Sequence, residues 1–594
     1  MIFRKIHSGS CRAWLSRVSL RQELCFFSSV PPQPVPPLAQ TLQGYLRALE
    51  PLLPPEELSH TRRMVHDFGR PGGLGPQLQE GLEKRARLNK NWISDWWVQR
   101  AYLESRQPLP VHSNAAISLP RRDFNDWRSQ LVFASRLIAA VLDFKAKINT
   151  GQLQVEFMRG KPLCKELYPL LFSSCRIPGP KHDYIAHYGR SRRSPTHITV
   201  VRNYQFFQLE VYNSDGSRMT ESQIHGQLLR IRSQSWKTDK EPMGILTSEH
   251  RHTWGEAYNR LLRDKLNQES VRMIETGLFS LCLDSPVMRI SDENRKAAQV
   301  LHGGGTFSNS GNRWFDKTLQ FVVGEDGSWG LLYEQATAEG PPVATLLDHV
   351  IEYCEKPDPK RAPLLPLPMP KKLYFHIDRE IKRDIEHAKQ NLDILINDLD
   401  VNVFNFKKFG KNLPKQHQMS PNSFIQVALQ LAYYRVHSEV CPACDIATQR
   451  MFRGGRTEYI RSPTKQGLQF ILAFDNPSVS ALNGHGIDRH LLGLKLQAIE
   501  EGMSIPKIFM DTAYGLATHF KLRTGQMPAN NTDSVMCFGP LVPDGYAVCY
   551  NPQADHIHFS ITAFNCCEDT NAERLARTLR DTMCHLQEML QPTV

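Results

Sequence analysis

The clearest periodic signal in the chain is a stripe of apolar side chains at helical spacing between residues 381 and 399. Its members recur at steps of three and four: Ile381, Ile385, Ala388, Leu392, Leu395 and Leu399. A helix with about 3.6 residues per turn brings positions at such steps onto one face. The stripe therefore predicts an amphipathic helix, and the apolar run over residues 401–406 predicts a strand after it.

A hairpin is predicted over residues 318–333. Thr318 to Val323 is an extended run, Asp326-Gly327-Ser328 is a turn, and Trp329 to Tyr333 is the returning strand. The residues that follow Tyr333 would then lie at a strand end, where active-site groups are common.

Elsewhere the chain mixes helical and strand patterns. Residues 40–110 are mainly helical in pattern, and from about 130 to 350 helical stretches alternate with short β-like runs such as 198–202 and 205–212. The second half continues in the same way, without an internal repeat. This alternation predicts an α/β fold, and 594 residues are enough for more than one domain.

Composition narrows the function classes. Hydrophobic residues make up 41% and charged residues 22%, as is usual for globular proteins, and without a run of about 18 apolar residues no membrane-spanning helix is expected. The net charge of +12 would suit a phosphorylated small molecule as well as a nucleic acid. Because the sequence has no basic stripe with interleaved aromatic residues and no zinc finger, a nucleic-acid partner is not expected.

The first 30 residues have the composition of a mitochondrial transit peptide. They are rich in arginine and serine, and their first acidic residue is Glu23. A disordered basic tail is the alternative. A Pro-rich linker, residues 31–37, follows, and the terminal Gln591-Pro-Thr-Val594 is not a peroxisomal signal. A mitochondrial location is therefore expected.

Thirteen cysteines are scattered along the chain and indicate no disulfide framework. Cys441-Pro-Ala-Cys444 could be a redox pair or half of a zinc site. The residues before it, Phe424 to Tyr434, predict a helix and not the strand that a thioredoxin-like motif needs. Only Cys566-Cys567 offers a second pair of thiols, so no metal site is predicted.

Two further segments suggest sites by spacing alone. His302-Gly-Gly-Gly305 is similar to the oxyanion loop of lipases, but no Gly-x-Ser-x-Gly elbow accompanies it, so we interpret it as a tight loop. Lysines at positions 407, 408, 411 and 415 lie just beyond a predicted strand. Such a cluster suits phosphate groups, although a solvated basic loop has the same pattern.

Several long motifs resemble those of the carnitine/choline acyltransferase family. Val35-Pro-Pro-Leu38 and Leu88-Asn-Lys-Asn-Trp92-Ile-Ser-Asp-Trp96-Trp97 are similar to its N-terminal signatures. Further matches lie at residues 302–317, 338–342, 363–372, 424–434, 488–495 and 538–552. The resemblance runs from about residue 34 to the end of the chain, and it is strongest with the carnitine acetyltransferase branch.

The resemblance implies two similar α/β domains, each with a mixed β-sheet flanked by helices, as in chloramphenicol acetyltransferase. An active-site tunnel would lie at the domain interface. A transit peptide would cover residues 1–30. Residues 82–377 would form an N-terminal-type domain with the catalytic-position loop, and residues 31–81 and 378–594 a C-terminal-type domain. A monomer is expected.

The reaction implied by the resemblance is the reversible transfer of an acetyl or other short acyl group between CoA and carnitine. CoA or acetyl-CoA would be a substrate, carnitine would be the other small-molecule partner, and no cofactor would be bound permanently. Met536 matches the residue that limits the length of the acyl chain.

On the CoA side the resemblance implies a pair of lysines and the loop after them. The matching positions are Lys411, Lys415, Gln416, His417, Gln418, Met419, Ser420, Pro421, Asn422 and Gln526. Asn422 stands where the family has an aspartate, so one acceptor charge is lost. The segment 479–487 is shorter than in relatives and lacks an arginine that helps to bind CoA. Asn483-Gly484 predicts a tight turn in it.

The carnitine side keeps some implied residues and loses others. The matching positions are Cys444, Ile446, Thr457, Arg489, Arg523, Thr524, Gly525 and Phe538. Arg489 and Thr457 match the carboxylate-binding pair, and Phe538 matches an aromatic beside the trimethylammonium group. Cys444 and Ile446 replace a tyrosine and a serine. Arg523 and Gly525 replace two serines, one of which stabilises an oxyanion, and losing such a donor costs on the order of 10²–10³ in rate.

The largest departure is Gln335, which follows Tyr333-Glu334 where the resemblance implies the catalytic histidine. Glu339 matches the acid that orients this histidine. An amide has no usable basicity near pH 7, and losing a general base costs roughly 10²–10⁴-fold. A CoA thiol keeps some reactivity, because a small part of it is ionised. Nothing in the sequence brings His302 or His349 to the site.

Three functions therefore stay open. The first is a family member that keeps the fold and part of the CoA site but has weak or lost acetyl transfer. The second is an active short-chain acyltransferase with an altered acceptor, and the third is a non-catalytic protein that binds CoA or another protein. The convergence of changes at Gln335, Cys444, Ile446, Arg523 and Gly525 favours the first.

Overall fold

The computed structural model of the protein describes residues 30–191, 194–286, 292–356, 367–463, 484–527 and 532–590. The predicted transit peptide, except for its last residue, lies outside the described residues. So do the first parts of the motif at 363–372 and of the shortened segment 479–487.

The strands of the described residues are as follows. They are β1 Asn114–Leu119, β2 Phe157–Met158, β3 Lys161–Pro162, β4 Ser174–Ile177, β5 Tyr184–His187, β6 His197–Arg202, β7 Gln205–Glu210, β8 Ser280–Asp284, β9 Leu319–Gly324, β10 Trp329–Glu334, β11 Lys371–Leu373, β12 Leu399–Phe406, β13 Ala443–Thr448, β14 Thr457–Arg461, β15 Leu522–Gln526, β16 Val535–Cys537, β17 Tyr546–Pro552 and β18 Ile557–Phe564.

The α-helices of five or more residues in the described part of the chain complete the framework. They are α1 Leu38–Leu49, α2 Pro55–Gly69, α3 Leu74–Leu88, α4 Ser94–Val98, α5 Trp127–Asn149, α6 Glu221–Gln234, α7 Arg251–Leu261, α8 Lys265–Thr276, α9 Glu293–His302, α10 Gly340–Glu355, α11 Arg379–Asp398, α12 Asn412–Gln416, α13 Pro421–His437, α14 Ile487–Glu500, α15 Thr512–Thr518 and α16 Ala572–Leu590. None of the described helices is both long and apolar enough to pass through a membrane.

Two mixed sheets carry the architecture. The first has eight strands in the order β11-β7-β6-β8-β9-β10-β1-β16, and the second has six in the order β12-β18-β17-β15-β13-β14. Both contain parallel and antiparallel neighbours. Helices α5, α6 and α10 pack on the first sheet, and α13 and α16 pack on the second, each around its own apolar core. The predicted α/β class with two sheet-bearing domains is confirmed.

Strand β16 joins the two sheets. It belongs to the second half of the sequence, yet it pairs with β1 at the edge of the first sheet, where Met536 lies opposite Ile117. The second sheet holds it from the other side, because Ser560 Oγ donates to the Met536 carbonyl at 2.5 Å and Thr562 Oγ1 donates to the Phe538 carbonyl at 2.7 Å. β16 therefore fixes one edge of the first sheet against the second sheet.

The strongest sequence patterns appear as predicted, with one boundary correction. The amphipathic stripe is the buried face of α11, and the predicted hairpin is β9 and β10. The helix ends at Asp398, so Leu399 is the first residue of β12 and not the last of the stripe. The reason is that the backbone of Leu399 pairs with Phe564 of β18, which draws it into an extended conformation.

A cluster of buried charges surrounds the end of β10. Arg251 binds Asp183 at 2.7 Å and Asp316 at 2.5 Å, and Arg176 binds Asp183 at 2.7 Å and Glu334 at 3.1 Å. All five side chains are buried. Burial raises the pKa of Asp316 to about 6 in spite of Arg251. For Asp183, burial alone would raise the pKa, but Arg251 and Arg176 outweigh burial and lower it.

We expect Arg251→Met to destabilise the protein by about 3–5 kcal/mol, because it leaves two buried carboxylates without one of their cations. Equilibrium unfolding in urea, followed by tryptophan fluorescence, measures the change. Arg577→Met is the control, since Arg577 pairs with Glu573 at the exposed surface, where such a change costs about 0.5 kcal/mol or less. Equal effects of the two variants would contradict a structural role for the buried cluster.

Candidate active site

Gln335 follows β10 directly and begins the loop that leads to α10. Its backbone N–H donates to the Ser113 carbonyl at 3.3 Å. The preceding Glu334 accepts hydrogen bonds from Ser113 Oγ at 2.5 Å and from the Ala336 N–H at 3.0 Å. Position 335 is thus held at a fixed point by backbone contacts and by the buried charge of Glu334.

Arg456 clamps this loop, and sequence reasoning missed it. Its Nη1 and Nη2 donate to the carbonyls of Ala336 and Gln335, each at 2.7 Å, and its Nε donates to Glu339 Oε1 at 2.6 Å. Glu339, the carboxylate that was predicted to orient the group at position 335, is therefore hydrogen-bonded to Arg456. A single arginine directly before β14 gives no spacing signal of its own.

Arg523 is the charged neighbour of Gln335. Its Nη2 donates to Gln335 Oε1 at 3.3 Å, and its Nη1 donates to the Gly539 carbonyl at 3.1 Å. The guanidinium carbon lies 4.0 Å from the ring centre of Phe538. With 7% of the residue exposed, Arg523 points into the site and stacks on the aromatic face that was predicted to meet a trimethylammonium group.

Gly525, Met536 and Phe538 form a close group beside Tyr333. A Cβ atom at position 525 would lie 3.3 Å from Phe538 and 3.4 Å from Met536. The Tyr333 hydroxyl lies 3.9 Å from Met536 Sδ. The predicted acyl-pocket residue, Met536, and one of the two positions that lost a serine, Gly525, are therefore neighbours, at the point where β16 meets β1.

Arg489 lies between two aromatic rings. Its guanidinium carbon is 3.3 Å from the ring centre of Trp97 and 4.3 Å from that of Tyr459. Its Nε donates to the Thr457 carbonyl at 3.0 Å, while its buried Nη2 has no hydrogen-bond partner among the described residues. The Thr457 contact therefore uses the backbone, and one arm of the guanidinium is left for another acceptor.

Tyr102 connects the two groups of predicted site residues. Burial, together with the nearby charge of Glu339, raises the pKa of its hydroxyl to about 12, against the opposing effect of Arg456, Arg523 and Arg489. Its ring centre lies 5.8 Å from the guanidinium carbon of Arg456 and 6.2 Å from the ring centre of Trp97, on which Arg489 stacks. Tyr102 lies outside the motifs quoted for the resemblance, so this position was missed.

The remaining carnitine-side positions lie on adjacent strands. Cys444 of β13 is opposite Arg523 of β15, and its carbonyl accepts from Thr524 Oγ1 at 3.0 Å. Burial raises the pKa of the Cys444 thiol to about 12, so it is not ionised near neutral pH and is a poor redox or metal group. Ile446, further along β13, is exposed and lies apart from the buried group.

The predicted CoA-side loop lies at the surface. The Lys411 N–H donates to the Gln553 carbonyl at 2.8 Å, which fixes the start of the loop. Most of its side chains are exposed, namely those of Lys415, Gln416, His417, Gln418 and Ser420. Gln526 is exposed at the end of β15. These side chains are open to a solute, whereas Met419 and Pro421 are half-buried.

Asn422 belongs to a buried polar network that the sequence did not reveal. It accepts from the Tyr550 hydroxyl and donates to Asp445 Oδ2 at 3.1 Å. Gln426 donates to the same Tyr550 hydroxyl at 3.0 Å and to Thr524 Oγ1 at 2.8 Å. The network runs from the CoA-side loop to the carnitine-side strand β15. Asn422 and Gln426 are four residues apart on α13, and this spacing could have indicated a shared face.

Among the described residues, no histidine takes the place of the catalytic histidine that the resemblance implies at position 335. His302 Nδ1 accepts from the Gly304 N–H at 3.2 Å, and His349 lies 3.1 Å from Asp143. The His112 ring stacks on Phe564 with ring centres 5.7 Å apart, and burial and then the charge of Arg523 lower its pKa to about 4. Within the part of the chain that the structure describes, no histidine is hydrogen-bonded to Gln335, Glu339 or Arg523.

Comparison with known proteins shows strong similarity along the chain. The family model described as choline/carnitine O-acyltransferase matches residues 33–482 and 478–581. A carnitine O-acetyltransferase of Columba livia is 53% identical over 97% of this chain and 95% of its own length, and one of Homo sapiens is 52% identical over 95% and 94%. A choline O-acetyltransferase of Danio rerio is 36% identical over 94% and 93%.

We expect Arg456→Met to loosen the loop after β10, because the loop loses two donors to its carbonyls and Glu339 loses its cation. Hydrogen exchange of residues 335–339 should become at least about tenfold faster, which corresponds to about 1.4 kcal/mol of local stability. Exchange in β9 should change much less. An unchanged rate in the loop, or a uniform increase across both segments, would contradict the clamp.

Proposed function

Because the chain belongs to the choline/carnitine O-acyltransferase family, we propose that it binds CoA thioesters but transfers acetyl groups to carnitine weakly or not at all. The observation that carries this proposal is the side chain at position 335, an amide whose oxygen is bonded to Arg523. An amide cannot take the proton that leaves a hydroxyl or a thiol during attack. CoA thioesters are the acyl donors of this family, and no permanently bound cofactor is expected.

Arg523 supports a loss of carnitine binding. Its guanidinium lies over Phe538, so an internal cation already uses the aromatic face on which a trimethylammonium group would be stabilised. A bound carnitine would have to displace this cation or lie beside it. Both outcomes disfavour a positively charged acceptor.

The loss of both serine hydroxyls, at positions 523 and 525, supports weak catalysis in the same way. Gly525 has no hydroxyl, and Phe538 and Met536 lie within 3.4 Å of the place where its Cβ would be. A developing negative charge there would lack a donor that the family resemblance implies, although Arg523 could supply a positive charge nearby. Removing one such donor typically lowers the rate by about 10²–10³.

The CoA side supports continued binding of the nucleotide. Lys411 is anchored by its backbone to Gln553, and Lys415 is exposed on α12. Ammonium groups on an anchored loop are suitable partners for the phosphates of CoA. Met536 next to Tyr333 limits the space for the acyl group, which favours acetyl or another short chain.

A second candidate is an acyltransferase with a different acceptor. Arg489 has a buried Nη2 without a hydrogen-bond partner in the described residues, and Arg523 adds a second guanidinium at the same site. Glu458 lies 3.9 Å from Arg489 and offsets its charge, so the further cation at Arg523 is what favours an acceptor that is neutral or anionic. The arginine-rich first residues support a mitochondrial location for the protein. The location of a tagged full-length chain in cells would test this proposal.

We expect the double variant Gln335→His, Arg523→Ser to transfer acetyl groups from acetyl-CoA to carnitine roughly 10²–10⁴-fold faster than the natural protein. The pair restores a base and removes the internal cation from Phe538. Gln335→Asn, which keeps an amide, is the control and should give no gain. Turnover by the natural protein as fast as that of the double variant would overturn the proposal of weak catalysis.

We expect Lys411→Ala and Lys415→Ala each to weaken CoA binding about 10-fold or more, because a charged hydrogen bond contributes about 1.5–3 kcal/mol. Isothermal calorimetry with CoA measures the affinity. Lys407→Ala and Lys408→Ala are matched controls on the same exposed loop and should change the affinity less than about threefold. A silent titration of the natural protein would overturn the CoA-binding part of the proposal.

A further inference from the structure

Two histidines and an aspartate meet at the start of β18, away from the groups described above. His556 Nε2 lies 2.8 Å and His558 Nε2 lies 3.1 Å from the same oxygen, Asp533 Oδ1. All three potential ligand atoms lie within 4.8 Å of one another. Three nitrogen and oxygen donors so close together are able to converge on one ion.

Two segments of the chain bring these three side chains together. His556 and His558 are two residues apart at the beginning of β18, so their side chains leave the same face of the strand. Asp533 comes from the residues before β16, and Asn551 Nδ2 holds that segment by donating to the carbonyls of Thr532 and Ser534, each at 2.9 Å. Three ligands therefore come from two segments that are already fixed to each other.

One of the three potential ligand atoms, His558 Nε2, has no hydrogen-bond partner among the described residues. His558 is half-buried, and its Nε2 lies close to Asp533 Oδ1 without the alignment of a hydrogen bond. A single carboxylate oxygen that faces two imidazole nitrogens satisfies both only when both carry a proton. A metal ion in this position would accept a lone pair from each of the three groups.

A further carboxylate orients one of the imidazoles. His556 Nδ1 lies 2.7 Å from Asp555 Oδ1. When Nδ1 carries the proton, Nε2 presents its lone pair toward Asp533, which is the tautomer that a metal ligand needs. A histidine that donates its other ring nitrogen to a carboxylate is the usual arrangement around bound zinc.

We propose that Asp533, His556 and His558 form a binding site for a divalent transition-metal ion of the zinc class. Two imidazoles and one carboxylate suit such borderline ions, whereas Ca²⁺ and Mg²⁺ prefer oxygen ligands. Zinc bonds of about 2.0–2.2 Å require the ligand atoms to separate slightly from their present contacts. Asp533 is half-exposed, which leaves room for water as a fourth ligand.

The position of the site links it to the loop that carries Lys411. The turn before His556 accepts hydrogen bonds from the N–H groups of Lys411 and Asn412 through the carbonyls of Gln553 and Ala554, at 2.8 and 3.2 Å. A bound ion would join this turn to the residues before β16. It would also add positive charge on this side of the molecule.

Zinc titration of the full chain against a chromophoric chelator tests the proposal. The background carries Cys566→Ser and Cys567→Ser, because these two cysteines are accessible to solvent and could bind zinc themselves. We expect one zinc ion per chain, at least 10-fold weaker binding in His558→Asn and in Asp533→Asn, and roughly 10–100-fold weaker binding in Asp555→Asn. Zinc should raise the melting temperature of the background protein but not that of His558→Asn.

His519→Asn is the matched control, because His519 forms a similar 2.7 Å pair with Asp544 at the surface but has no third ligand group among the residues that the structure describes. It should leave zinc affinity unchanged, and an excess of Ca²⁺ should not compete. The proposal is overturned if the background protein takes up no zinc, or if His558→Asn, folded as judged by circular dichroism, binds zinc as tightly as the control.

Discussion

Charges buried without water impose the strictest constraint on this structure. Arg106, Arg176 and Arg251 neutralise Asp183, Asp316 and Glu334, and these six residues are spread over more than 200 positions of the chain, from 106 to 334. Removing any one of them leaves a charge that the interior cannot solvate, at a cost of several kcal/mol. The cluster ends at Glu334, so it also fixes the residue that follows. The position of residue 335 is therefore a consequence of core electrostatics and not of its own side chain.

The contacts that hold the loop after β10 are likewise independent of the side chain at position 335. Arg456 binds the carbonyls of Gln335 and Ala336, and carbonyls are the same whatever side chain is attached. A histidine or a glutamine at position 335 would leave the clamp and the Ser113 contact in place. The fold can therefore be kept while the reacting group changes, because the interactions that build the site are separate from those that would perform the chemistry.

The sequence predicted the features that depend on local periodicity and on long motifs. The stripe of α11, the β9–β10 hairpin and the α/β class follow from patterns over several residues, and each is confirmed. The sequence could not reveal Arg456, Tyr102 or the Asn422–Tyr550 network, since their roles depend on partners more than 100 residues away. It also did not reveal the Asp533–His558 cluster, whose members meet because Asn551, the partner of His558 across β17 and β18, holds the segment before β16 with its side chain. Whether the matched CoA- and carnitine-side residues bind their ligands stays a prediction.

Gln335 and Arg523 are best understood as a pair. Burial and the charge of Arg523 lower the pKa of His112 to about 4. An imidazole at position 335 would lie beside this guanidinium, since the glutamine oxygen is 3.3 Å from Nη2, so its pKa would also fall and its strength as a base would decrease. An amide accepts a hydrogen bond from the guanidinium without competing for a proton. Once an arginine occupies position 523, glutamine is thus the more compatible neighbour, and returning histidine alone would restore only part of the lost basicity.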